Sequence, residues 1–227
     1  MKNRFAFGVV GLAAVTASLT LAHAAQQGQR NQDRGHQADP GEMQLPPGMT
    51  EEMAQACIEA GIPGEMHEHL AERVGVWNGE CTMWMYPGAE PMTSTCTYTI
   101  SPMMDGRFVK GELSGEMPGM GPYNGFGITG FDNVSEKFQG TWIDNHGTGM
   151  MIGTGELSAD GKTLEWEFKY NCPVTKKPVV MREIERYTGK DAMTLEMHGV
   201  MPGSDEEFKM MEIKFTRKPG RAPVTAR

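Results

Sequence analysis

GFGITGFDNVSEKFQGTWIDNHGTGMMIGTGELSADGKTLEWE, residues Gly125 to Glu167, decides the fold. Apolar or alternating runs are broken by turn-forming clusters at Asn133–Glu136, Asn145–Gly149 and Ser158–Lys162. A short strand and a turn about every ten residues marks an antiparallel sandwich or barrel. The clearest alternation puts Leu164, Trp166, Phe168 and Tyr170 inward and Glu165, Glu167 and Lys169 outward.

The same rhythm extends in both directions. It starts at Val76, where Trp77, Gly79, Cys81 and Met83 share one parity; Met92, Cys96, Tyr98 and Ile100 share another. Further runs fall at Arg107–Ser114, Tyr123–Asp132, Phe138–Asp144, Met150–Leu157, Thr163–Tyr170, Pro178–Tyr187, Ala192–Met201 and Glu207–Arg217. Met193, Leu195 and Met197 point inward, which turns His198 to solvent, and a parity slip near Met210 predicts a β-bulge. Ten hairpin-linked strands leave two exposed edges unless the sheet closes. The expected fold is therefore all-β, a closed antiparallel up-and-down barrel of about ten strands with short N-terminal helices.

The rest of the chain divides by composition. Residues 1–24 read as a signal peptide: Lys2 and Arg4, an apolar run from Phe5 to Leu21, then Ala22-His23-Ala24. The expectation is an exported protein, periplasmic or extracellular, with no transmembrane span. Residues 25–48 are polar and Gly-rich, the composition of a disordered leader. Residues 49–74 predict short helices, 75–218 the barrel and 219–227 a flexible tail. Thr50 is the expected N-cap of the first helix, with Glu51 and Glu52 in its first turn; Met53, Ala56, Cys57 and Ala60 recur at helical spacing. Met66, Leu70 and Val74 stripe the second. His67 and His69 flank Glu68 there and are expected on a solvated helix face, because residues two apart on a helix diverge.

A hairpin turning through Pro87-Gly88-Ala89-Glu90 pairs Tyr86 with Pro91 and sets Cys81 opposite Cys96. Directly opposed positions lie within disulfide reach, and an oxidising compartment favours the bridge. Cys57 and Cys172 remain, with their pairing open.

The formal net charge of -8 argues against a nucleic-acid partner. No Gly-x-Ser-x-Gly elbow, Walker loop, Cys-x-x-Cys or His-Glu-x-x-His occurs. The expected site is the interior: Gly125, Gly127 and Thr129 are small and share a parity, and Trp142 and Asp144 can both face a cavity. Gly127, Thr129, Trp142, Asp144 and Met150 are the candidate ligand-binding residues, for a small apolar molecule and with no cofactor. Two alternatives stand beside this. Asp144 and His146, beside Asn145, could form an acid–base pair for a small-molecule enzyme. Met117, Met120, the Met150–Met151 and Met210–Met211 pairs and His67, His69 or His146 could suit copper(I), with His146 or His198 as an axial haem ligand. Oligomeric state is left open.

Several motifs in one order carry a resemblance. Val76-Trp77-Asn78-Gly79-Glu80 is similar to the first strand of lipocalin-like (calycin) barrels. Asp105-Gly106-Arg107-Phe108, Gly130-Phe131-Asp132-Asn133-Val134, Thr141-Trp142-Ile143-Asp144-Asn145, Gly147-Thr148-Gly149-Met150-Met151 and Phe208-Lys209-Met210-Met211-Glu212 resemble the bacterial domain-of-unknown-function family 1579. The likeness runs from about Leu70 to Lys218. It implies a lipocalin-like barrel and no established activity. In that family Cys81 and Cys96 fall at ordinary strand positions, which makes their bridge a feature of this chain.

Overall fold

The structure is a computed structural model and describes residues 45–220. The expected signal peptide, most of the leader and residues 221–227 of the tail lie outside them. Two helices precede ten strands: α1 (Glu51–Ala60), α2 (Glu65–Glu72), β1 (Gly75–Met83), β2 (Met92–Met103), β3 (Phe108–Met117), β4 (Gly121–Asp132), β5 (Lys137–Asp144), β6 (Met151–Leu157), β7 (Thr163–Asn171), β8 (Pro178–Gly189), β9 (Ala192–Val200) and β10 (Glu207–Arg217). No helix among the described residues is long and apolar enough to cross a membrane.

Each strand pairs antiparallel with its neighbour in sequence, and β1 pairs with β10 from Trp77–Arg217 to Met83–Met211. The sheet is a closed up-and-down barrel with no free edge. The β10 ladder slips between Lys209 and Met211 against β9, the bulge that the parity requires. Trp77, Ile100, Phe138, Leu164 and Phe215 are almost fully buried and form the core at the end where β1 starts.

That end is plugged by α2. Leu70, fully buried, seals it, and the Arg217 guanidinium ties β10 to the helix by donating to the carbonyls of Val74 (2.6 Å) and Glu72 (2.8 Å). Arg217 also covers the Trp77 ring at 4.0 Å, a cation–π contact. Thr50 Oγ1 accepts from the Met53 amide and caps α1 as expected. Yet α1 buries no side chain, so its Met53, Ala56, Cys57 and Ala60 stripe does not pack on the barrel. It is held at its C-terminal end, where Asn133 donates to the carbonyls of Ala60 and Ile62 and Arg107 to that of Gly61.

The β1–β2 hairpin corrects the expected register. The Ala89 amide donates to the Tyr86 carbonyl, so the tight turn is Tyr86–Ala89, with Pro87 and Gly88 at its centre. Gly88 has φ 79°, and Pro followed by a positive-φ Gly is what a type II turn demands. Moving the turn by one residue shifts the pairing by two, so Cys81 faces Ser94 and Cys96 faces Gly79. Cys81 and Cys96 are diagonal neighbours on the inner wall, and both thiols are free. The predicted bridge is absent. Cys57, exposed on α1, and Cys172, buried after β7, are free as well.

Candidate functional site

Above the plug the barrel holds a cavity of about 270 Å³. Its wall is mostly apolar, and methionine dominates it: Met83, Met117, Met151, Met181, Met197 and Met211 all face the space. Unbranched thioether side chains adapt to irregular contents. Exposed His146 also lines the cavity, so it opens at the end opposite α2.

The glycines expected to leave room inside do something different. A Cβ on Gly127 would lie 2.8 Å from the Trp142 ring, and one on Gly125 would collide with the same ring; Gly155, on β6, seats the Trp166 ring in the same way. These positions are seats for large rings laid across neighbouring strands, and the open volume lies beyond the rings. Trp166 stacks in turn on Phe168, centroids 5.4 Å apart.

The floor of the cavity is polar and charged. Arg73 follows α2, is 5% exposed and reaches into the barrel, where its Nη2 lies 2.5 Å from Glu185 Oε2 on β8. Glu185 also accepts from Trp166 Nε1 (3.1 Å) and from the Tyr187 hydroxyl (2.9 Å). Two residues closer to the mouth on the same strand, Glu183 is 8% exposed and lines the cavity. Burial and then the Glu185 charge push its carboxyl up to about 8, against the pull of Arg73. Both effects favour its protonated, uncharged form. Burial opposes the Arg73 charge, but Glu185, Tyr187, Tyr98 and Glu183 together outweigh it and hold the guanidinium ionised. Arg73 Nε and Nη1 are buried with no hydrogen-bond partner. Tyr98, whose hydroxyl burial pushes up, completes this layer.

The mouth gathers the sequence candidates. Trp142, Asp144, Gly127 and Thr129 line the cavity as their parity predicts. Trp142 Nε1 donates to the Tyr123 hydroxyl (2.9 Å), which donates to Asp144 Oδ2 (3.4 Å). The other Asp144 oxygen accepts the His146 backbone amide at 2.8 Å. The His146 ring lies flat on Tyr123, centroids 5.7 Å apart, and its Nε2 sits 3.1 Å from the Pro122 carbonyl. A carbonyl only accepts, so Nε2 carries the proton. Asp144 thus holds the backbone of His146 rather than its ring, and the pair is built as a turn clamp. Asn145 reinforces it by accepting from the Asn124 amide and donating to Pro122. Met150 does not line the cavity: it is 55% exposed in the β5–β6 loop, and Met151, one residue on, occupies the wall.

The metal candidates do not converge. His67 and His69 lie on α2 at the plugged end, whereas His146 is at the mouth. Neither helical histidine is on a solvated face, which corrects that expectation. His67 is buried, its Nδ1 accepting the Gly64 amide at 3.0 Å, so it caps α2. His69 packs edge-on against Phe138 and Tyr187; burial and then the Arg73 charge lower its pKa. His198 is on the outer wall as its parity predicts, but its side chain is only 18% exposed and faces Glu196 rather than open solvent. Among the described residues no group of three His, Cys, Asp or Glu side chains could hold a metal ion. The cavity thiols are not poised as ligands either, since burial and the neighbouring Cys81 push Cys96 up to about 11.

Arg73, Glu183 and Glu185 have no counterpart among the sequence candidates. One signal was available. In the run Met181-Arg182-Glu183-Ile184-Glu185-Arg186-Tyr187, the parity shared by Met181 and Tyr187 carries both glutamates inward. Inward carboxyls on a barrel strand imply a cation from elsewhere, and Arg73 supplies it.

Comparison with known proteins agrees with this fold. No curated protein matches the chain. The crystal structure of Rv2717c from M. tuberculosis superposes with a TM-score of 0.53 at 16% identity, covering 69% of this chain and 99% of that one. At that identity the likeness concerns the fold alone. The model of the family described as protein of unknown function (DUF1579) matches residues 62–217, from the turn before α2 to the last residue of β10, and the chain belongs to that family.

Proposed function

We propose that this protein binds one small, largely apolar molecule inside its barrel. The observation that carries the reading is the cavity of about 270 Å³, walled by methionine and aromatic side chains and open beside His146. Ligand sites are typically concave and mostly apolar, with a few placed polar groups, and this cavity lies just below their usual size. We propose further that the protein is exported, on the strength of residues 1–24. The Asp144–His146 geometry favours no enzyme reading, and the histidine positions favour neither copper nor haem.

The test is a titration with a solvatochromic naphthalene dye, followed by dye and tryptophan emission. Trp142 and Trp166 both line the cavity, so occupancy should quench or shift them. The variant Leu113→Trp, which fills the space from β3, should abolish dye binding while circular dichroism stays that of the barrel. Equal dye binding by wild type and the filled variant would place the dye elsewhere and refute the reading.

A further inference from the structure

The floor of the cavity carries more polarity than the barrel needs. A buried polar group without a partner is destabilising, and more so when it is charged. Arg73 is buried yet leaves Nε and Nη1 without partners, having given Nη2 to Glu185. Glu183, more than nine-tenths buried, faces the same space; burial and charge shift its carboxyl, and no hydrogen bond contributes. The charges that act on it are those of Glu185 and Arg73, and it acts in turn on Tyr98 and Tyr123. Trp166 and Tyr187, by contrast, already spend their donors on Glu185.

We propose that the ligand is an uncharged amphiphile whose hydrogen-bond-accepting oxygen, of carbonyl type, seats against Arg73 and Glu183 while its apolar body fills the methionine-lined space above. This rests on the interior being the binding site, and it adds the chemistry of the head. The charge balance selects it. Arg73 and Glu185 already neutralise each other at 2.5 Å. An anionic head would place a second negative charge beside Glu185 with one guanidinium between them. A cationic head would stand against Arg73 and need Glu183 ionised, which burial and Glu185 both oppose. A neutral carbonyl adds no charge and accepts what the floor has left to donate: the unpaired Arg73 N–H groups and the Glu183 O–H.

Four probes with the same apolar chain test it: octane, octanamide, octanoate and octylamine, titrated calorimetrically into the full-length protein at neutral pH. Octanamide should bind about tenfold more tightly than octane, the return on one or two hydrogen bonds to a charged or strong donor. Glu183→Leu should reduce that preference without losing octane, and so should Arg73→Lys, which keeps the Glu185 pair but removes the guanidinium fork. Octane and octanamide binding equally would overturn the head assignment and leave the cavity reading standing. Octanoate or octylamine binding most tightly would overturn it in favour of a charged ligand. No binding by any probe would overturn both.

Discussion

Arg73 Nη2 meets Glu185 Oε2 at 2.5 Å inside the barrel, joining the residue that ends α2 to the middle of β8 across more than a hundred residues of chain. Both side chains are about 5% exposed, so this is a buried ion pair. Desolvating two charges is expensive, and such a pair contributes little net stability over a well-packed apolar replacement. Breaking one side is different. Arg73→Met should cost about 3–5 kcal/mol, because Glu185 is left charged and unpaired. The double variant Arg73→Met/Glu185→Leu should recover part of that loss, though Trp166 Nε1 and the Tyr187 hydroxyl then lose their acceptor. Urea unfolding of the two single variants and the double variant measures the coupling; additive losses would show that the pair does not act as a unit.

Glu183 sets a pH dependence whose sign is fixed. Its carboxyl titrates near 4.5 when exposed and at about 8 in the fold. Between those values the folded chain keeps a proton that the unfolded chain has released. The contribution is therefore fully present below about 4.5 and is lost as pH rises through about 8. Arg73, Glu185 and Tyr98 act on it in both proteins compared; His69, lowered by burial and Arg73, loses stability toward acid and is likewise common to both. Glu183→Gln should flatten the decline relative to wild type, most clearly in unfolding curves toward pH 8. Parallel stability–pH curves for the two proteins would contradict this.

Much of the fold was legible from pattern alone. The ten strands, the closure and the bulge between Lys209 and Met211 follow from period-two alternation and turn chemistry, because one face of each strand must be dry. The register at Pro87-Gly88 was misread by one turn position, yet a shift of two residues keeps every side chain on its own face, so the barrel is unaffected and only the Cys81–Cys96 pairing is lost. Trp142 and Asp144 were placed correctly for the same reason of parity. Arg73, Glu183 and Glu185 escaped because patterning assigns charges to solvent, and their compensation comes from a helix distant in sequence. His67 and His69 were misplaced because the face that α2 turns to the barrel is wider than its Met66, Leu70 and Val74 stripe, and it is Glu65, Glu68, Ala71 and Glu72 that meet solvent.

Thiol chemistry separates the four cysteines. Cys57 is exposed and should alkylate within the mixing time of a maleimide labelling experiment. Cys81 and Cys96 face the cavity with pKa values raised by burial, so they should react slowly with the folded protein and fully in denaturant. Mass spectrometry after labelling should find four modified cysteines in denaturant without prior reduction. A single fragment carrying linked Cys81 and Cys96 would restore the bridge and show that the hairpin adopts the other register.

His146→Ala addresses the mouth. The side chain is exposed but stacks on Tyr123 and donates to the Pro122 carbonyl. Losing both contacts should cost about 0.5–1.5 kcal/mol, the scale of one hydrogen bond, with probe affinity nearly unchanged. A large loss of affinity at intact stability would make His146 a ligand contact rather than part of the turn clamp.

The central claim, that the barrel interior is the binding site, is tested most directly by methyl NMR of protein labelled at its methionine methyl groups. Met83, Met117, Met151, Met181, Met197 and Met211 line the cavity, whereas Met53, Met85, Met104 and Met120 are exposed outside it. Titration with octanamide should shift the first set in a saturable manner and leave the second in place. Shifts confined to the exposed methionines, with the cavity set unmoved at saturation, would contradict the account.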